Sequence, residues 1–190
     1  MLIRPLKPAD LDDVVEIDAT IESEHYLHLT RQQADEDDPF TLSWSLEPRE
    51  LRRPLAESNL PDDSLRLRYR QVAEGVVDGL ALCVEVGNEP VSSLLAETDH
   101  DTNALRLIDL RTDSDHRREG FASALLYQAI THARDAEHRA LLTSTRANQH
   151  PAAVLLAKTG FTLTGLDETA ASNHDVVAER ATVMWTMPLT

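Results

Sequence analysis

One stretch constrains this chain more than any other: Arg111 to Leu126, RTDSDHRREGFASALL. It follows an apolar strand candidate, Ala104 to Leu110, crosses a charged turn and passes a single glycine into a periodic helix. Phe121, Ala122, Leu125, Leu126, Ala129, Ile130 and Ala133 recur at the spacing of one buried helix face. A strand, a tight turn and a helix start therefore meet here. The first backbone N–H groups of such a helix are unpaired and aligned, and with the helix dipole they favour a phosphate or pyrophosphate. Arg117 and Arg118 add positive charge at that end, while Gly120 and Ala122 keep bulk away from a ligand. Anion binding is the first functional expectation, although a βα junction with a lone glycine is also common structural furniture.

The order Arg117-x-x-Gly120-x-Ala122 matches a Q/R-x-x-G-x-G/A signature, and through it the chain resembles the GNAT superfamily of N-acetyltransferases. It is neither the dinucleotide G-x-G-x-x-G nor a P-loop. A second stretch, Asn148 to Phe161, resembles the family's N-x-x-A-x-x-x-Y-x-K-x-G-F, with Asn148 taken as its Asn, followed by Lys158, Gly160 and Phe161. Leu156 stands where the family has tyrosine. The resemblance implies an α/β protein with a mixed, mainly antiparallel, splayed central sheet and helices on both faces. It also implies acetyl transfer from acetyl-CoA to an amine. Cofactor contacts are implied at Leu110, Arg111 and Thr112 for the pantetheine arm. Arg117, Arg118, Glu119, Gly120, Phe121, Ala122 and Ser123 are implied at the pyrophosphate, and Asn148 and Leu156 further along. Arg118 and Glu119 depart from the family's loop, which keeps a non-catalytic acetyl-CoA-binding or sensing domain as an alternative. A protein N-terminal or lysine acetyltransferase is another.

An alkyl ammonium has a pKa near 10.4, so a base or water chain must remove its proton before attack. Asp109, beside the cofactor strand, and Glu97, at the end of the preceding strand, are the candidate catalytic residues; a surface salt bridge is the alternative for each.

A length of 190 residues suits one domain over residues 1–190, with 20–79 as a variable acceptor-side segment and 104–161 as the acetyl-CoA-binding core. No apolar run approaches the ~20 residues of a membrane span and no signal peptide opens the chain, so a cytoplasmic location is expected. Residues 1–100 hold nine Lys and Arg against 22 Asp and Glu, whereas residues 101–190 hold nine against eleven. Such acidity repels nucleic acid and anionic membrane and suits a cationic small-molecule or peptide amine, or merely confers solubility. A homodimer is left open. The lone Cys83, inside the apolar run Leu80 to Val86, reads as a buried structural thiol. No metal is expected: the eight histidines lack ligand spacing, and Asp99, Asp101 and Asn103 start a calcium-loop pattern that Ala104 and Leu110 break.

For the rest of the chain, Leu2 to Leu6 predicts a strand and Leu11 to Ile21 a helix. Asp35 to Pro39 reads as a solvated loop, Glu47 to Ser58 as a short helix, and Leu65, Leu67 and Tyr69 as alternate residues of a strand. Tyr26, Trp44 and Tyr69 are either acceptor-pocket or packing aromatics. Leu80 to Val86 and Val91 to Glu97 predict a hairpin, Glu119 to Glu137 a helix, Ala140 to Arg146 a strand and Pro151 to Thr159 a helix closed by Gly160. The ending, strands at Phe161 to Leu166 and Ala181 to Pro188 around a polar loop, is similar to streptothricin and related antibiotic acetyltransferases.

Overall fold

The computed structural model describes residues 2–33 and 42–189. Its main sheet has seven strands, formed by β1 (Leu2–Pro5), β4 (Gly79–Val86), β5 (Glu89–Asp99), β6 (Ala104–Thr112), β7 (Ala140–Arg146), β9 (Thr182–Pro188) and β8 (Thr162–Asp167), in that spatial order. Every neighbouring pair is antiparallel except β6 with β7. A separate hairpin, β2 (Ile21–Gln33) with β3 (Leu42–Glu57), forms a long arm. The helices are α1 (Leu11–Glu16), α2 (Asp63–Ala73), α3 (Phe121–Asp135) and α4 (His150–Thr159). Among the described residues no helix is long and apolar enough to cross a membrane.

The period-2 alternation of the central strands explains why both sheet faces are covered. In β4, Leu82 and Val84 pack with Leu125, Leu126 and Ala129 of α3 on one face. Ala81 and Cys83 point to the other, where Val14 of α1 and Tyr69 and Val72 of α2 complete a second core. Cys83 is fully buried, and burial pushes its thiol up from the ordinary range.

Two expectations are overturned. Glu47 to Ser58 is strand rather than helix: Pro48 and Pro54 would each interrupt a helix, while β2 supplies partners, with Leu27 opposite Pro48 and Leu29 opposite Leu46. Leu65, Leu67 and Tyr69 lie on a helix rather than a strand, because Leu65, Tyr69 and Val72 also fit a period of 3.6. Asp62 caps that helix by accepting from the Leu65 backbone N–H at 2.7 Å. The first helix is also shorter than expected and ends at Glu16, so Ile17 and Ile21 lie outside it. The loop expected over Asp35 to Pro39 lies outside the described residues.

What positions the site is an interruption of the sheet. β6 and β7 pair only from Ala104 to Arg106 against Ala140 to Leu142, and beyond that point the two strands share no ladder. Just there β6 carries a bulge: Leu95 faces Asp109 and Ala96 faces Leu107, leaving Ile108 as the extra residue. The arm enters on this side and fastens to the end of β7, the Leu27 N–H donating to the Ala147 carbonyl at 2.9 Å. Arg146 reaches Glu57 of the arm at 3.1 Å.

Candidate active site

Between the parted strands, the arm and the first turn of α4 lies a cleft of about 1030 Å³. β6 contributes Leu107 to Thr112, whose β7-facing edge has lost its strand partner. A buried acceptor or donor on such an edge needs another partner, and an extended amide-bearing chain supplies one. The facing wall is Thr143, Ser144 and Thr145 of β7 with Gln149, His150 and Leu156 around α4. The arm closes the third side with Glu22, Glu24, His25 and Leu55.

The turn into α3 is built as its sequence suggests. Asp113 accepts from the Asp115 N–H at 3.0 Å and starts a 3-10 turn over Ser114–His116. Arg118 and Gly120 then take left-handed backbone, φ 66° and 86°. Glycine does so without strain, whereas an arginine there costs about 1–2 kcal/mol. Gly120 is the N-cap of α3 and has no side chain to offer, so the first-turn N–H groups carry no cap. Arg117 is not free: its guanidinium donates to Glu22 of the arm at 2.8 Å and to the Thr20 carbonyl. It therefore joins the turn to the arm. Glu119 faces His116 at 3.2 Å.

Of the residues expected at the cofactor, Leu110, Arg111, Thr112, Arg117, Arg118, Ala122 and Leu156 share this one cleft. Glu119, Gly120 and Ser123 form the turn and helix start behind its rim, and Phe121 is buried in the core. Asn148 is turned away, buried at 4% exposure against a groove beside β3, with its Oδ1 unpartnered. Counted back from Leu156 and Ala152, the motif's Asn falls at Gln149, which does line the cleft and caps the Arg146 N–H at 3.0 Å. The register that places Asn148 there is thus off by one.

The two expected proton acceptors have other partners. Asp109 receives Arg111 through Nε at 2.7 Å and Nη2 at 3.1 Å, and Tyr69 Oη donates to it at 2.7 Å. Burial disfavours the Arg111 charge, but Asp109 more than offsets this and holds it cationic. Burial, reinforced by the Asp109 charge, pushes the Tyr69 phenol well above its usual range. Tyr69 is 1% exposed and bonded, so it is a core residue, and neither Tyr26 nor Trp44 lines the cleft. Glu97 is gripped by Arg68 at 2.7 and 2.6 Å. It stands opposite Arg106, where β6 and β7 are still joined, and does not line the cleft.

Sequence reasoning missed two ring side chains in the cleft. His25 and His150 face each other with ring centroids 5.7 Å apart, tilted by 43°. Burial, and then the charge of His25, holds His150 below the ordinary histidine range. The adjoining Pro151-Ala152 signature was the only local signal for it.

The acetyltransferase (GNAT) family, compared as a whole, matches residues 32–161 of the chain. The chain belongs to that family. It is accordingly an acetyl-CoA-dependent N-acetyltransferase. Curated protein sequences offer no match. Among solved structures, a nourseothricin acetyltransferase superposes with a TM-score of 0.75 at 19% identity, over 100% of this chain and 98% of that one. A proposed streptothricin acetyltransferase from Bacillus anthracis, solved with acetyl coenzyme A, gives 0.77 at 19% identity over 100% and 98%. The ribosomal-protein-S18-alanine N-acetyltransferase of Escherichia coli gives 0.62 at 13% identity over 100% and 94%. These likenesses establish the splayed mixed sheet as the family's fold. Among the described residues, no group of three or more His, Cys, Asp or Glu side chains is placed to hold a metal ion.

Proposed function

We propose that the enzyme acetylates a primary amine on a small cationic molecule, by direct attack of the amine on the acetyl-CoA thioester. The observation that carries the acceptor class is the acidic arm wall: Glu22 and Glu24 line the cleft on the side the arm closes. Glu22 is held by Arg117, while Glu24 is exposed. With Glu22 and Arg117 matched, the charges left to steer a ligand at this side are the exposed Glu24 on the arm, which favours a cation, and Arg118 at the α3 turn, which favours a phosphate. Two of the similar structures are named for nourseothricin and streptothricin acetylation, which agrees with a small-molecule acceptor.

In this reading the free edge of β6 from Leu110 to Thr112 holds the pantetheine amides, and the uncapped start of α3 holds the pyrophosphate. Acetyl-CoA then supplies the acyl group and a thiolate leaving group. The chain's own work is to align the amine with the carbonyl and to accept its proton. Asp109 and Glu97 are read as braces, fixing the β6 bulge and α2, because their lone pairs are committed to Arg111, Tyr69 and Arg68.

A thiol-release assay over cationic, neutral and anionic amines, peptides included, tests the acceptor class. A polycationic small amine should show the highest kcat/KM. That value should fall steeply as the Debye length shrinks from about 10 Å at 0.1 M salt to about 3 Å at 1 M. Preference for a neutral or anionic acceptor, with no salt dependence, refutes the proposal.

A further inference from the structure

We propose that His150 is the general base of the transfer and that His25 carries the proton on to solvent. This rests on the amine-acceptor reading above and adds the residue that makes the amine reactive. The geometry places His150 at the first position of α4, partly buried on the cleft wall that faces the free edge of β6. His25 sits on the arm at the exposed end of the pair, 5.7 Å away between ring centroids. A proton passing from one ring to the other at that separation travels through a bridging water.

The surroundings favour a neutral His150. Burial is the first cause and the proximity of His25 the second. The positive end of the α4 dipole acts in the same sense. The other ionisable groups lining the cleft are Glu22 and Glu24 from β2, Asp109 and Arg111 from β6, and Arg117 and Arg118 before α3. Asp109 is paired with Arg111, and Glu22 with Arg117, so four of these charges are matched. β7 contributes only Thr143, Ser144 and Thr145, and β3 only Pro54, Leu55 and Ala56, none of them ionisable. Among the described residues, no carboxylate pairs with or hydrogen-bonds to either ring.

The step balances as follows. A proton of the bound ammonium passes to the His150 ring, and the lone pair so freed on the nitrogen then forms the bond to the thioester carbonyl carbon. The carbonyl oxygen carries the electron pair until the C–S bond breaks and the CoA thiolate leaves. A second proton from the nitrogen reaches the thiolate through water, and His150 releases its own through His25. One ammonium and one acetyl-CoA give one amide, one CoA thiol and one proton to solvent.

His150→Gln and His25→Gln test this, with an alkyl amine and an aryl amine as acceptors. The aryl amine is already neutral at pH 7 and needs no base to bare its lone pair. His150→Gln should lower kcat/KM for the alkyl amine at least 10²-fold, the lower range for general base catalysis, and leave the aryl amine within a few fold. It should also remove the acid limb of the alkyl-amine pH profile, while the thermal upshift caused by acetyl-CoA persists. His25→Gln should move that limb to higher pH, since one opposing charge is gone. An NMR titration of the parent protein gives a readout that needs no variant. An acid limb of the alkyl-amine profile that does not coincide with the titration of the His150 ring overturns the proposal. So does an equal loss on both acceptors, the mark of a structural role. A parent enzyme that acetylates no amine while still binding acetyl-CoA refutes the acceptor reading itself, and the base assignment with it.

Discussion

Arg111 offers the sharpest test of how the cleft floor is held. Its side chain has no solvent exposure, and that of Asp109 has 9%. Replacing Arg111 with Met removes two charge-assisted bonds to Asp109 and one to the Asn59 carbonyl at 3.3 Å. Asp109 then keeps one donor, Tyr69 Oη. Breaking one side of a buried ion pair costs about 3–5 kcal/mol. Because Asp109 also borders the cleft, water can reach it, and the lower end, about 3 kcal/mol, is expected. For a chain of 190 residues that corresponds to a fall in Tm of roughly 6–12 °C. Removing both charges, as Asp109→Leu with Arg111→Met, takes away the uncompensated carboxylate. The double variant should therefore recover at least about 2 kcal/mol relative to Arg111→Met. Urea midpoints for the parent, both single variants and the double variant close the cycle. If Arg111→Met stays within 1 kcal/mol of the parent, or the double variant is as unstable as the single, the pair is not the brace described.

Gly120→Ala should cost about 1 kcal/mol from its φ of 86° alone, since a Cβ there meets nothing within 4 Å. Gly120→Glu should in addition abolish the acetyl-CoA thermal upshift, worth about 2.7 kcal/mol at 100 times Kd, by placing a carboxylate where the pyrophosphate is proposed to sit. Leu156→Tyr puts a phenol on the cleft wall where the leaving thiolate can use its proton, so kcat should rise with KM for acetyl-CoA little changed in steady-state assays. His138, lowered by burial and then by His132, and His150, lowered by burial and then by His25, both resist protonation in the folded state. The unfolded chain binds those protons first, so the urea midpoint should fall as pH drops below about 6.5 and level off once the folded-state values are passed. Asp10, held below the carboxylate range by Arg4, contributes in a separate window, with its stability lost as pH falls from about 4.

The legible parts of this fold were those whose signals are local. The strand, turn and helix from Ala104 to Asp135 announce themselves because cap, glycine and 3.6-residue period lie within a few turns of one another. The arm was opaque for the opposite reason. Its strands are specified by pairing across residues 21–57, and Pro48 and Pro54 read locally as helix starts and stops rather than as members of a two-stranded ribbon. For α2, arginines between Leu65, Leu67 and Tyr69 imitate a strand; the cap at Asp62 was the discriminating residue. The site suffered similarly. Arg117 looked free for phosphate because Thr20 and Glu22 reach it only in three dimensions. His25 and His150, 125 positions apart in the chain, meet only because the arm docks at the end of β7.

That docking also explains why the cleft is where it is. A parallel pair such as β6 and β7 would ordinarily keep its ladder along its whole length, since each backbone group left behind costs free energy when buried. The bulge at Ile108 turns β6 away just past the last paired residue, Arg106, and the arm's Leu27 satisfies the Ala147 carbonyl on the other branch. The opening is stabilised from both sides while the β6 edge beyond Arg106 stays without a strand partner. The cleft lining consequently comes from two stretches, Leu107 to Leu156 and Ala19 to Asn59. Contacts between the two stretches include Arg117 with Glu22 and Thr20, Arg146 with Glu57, Arg111 with Asn59, Leu27 with Ala147, and His150 with His25. Substitutions in the arm away from these contacts can thus reshape its wall of the cleft without disturbing the β6 edge and the turn into α3.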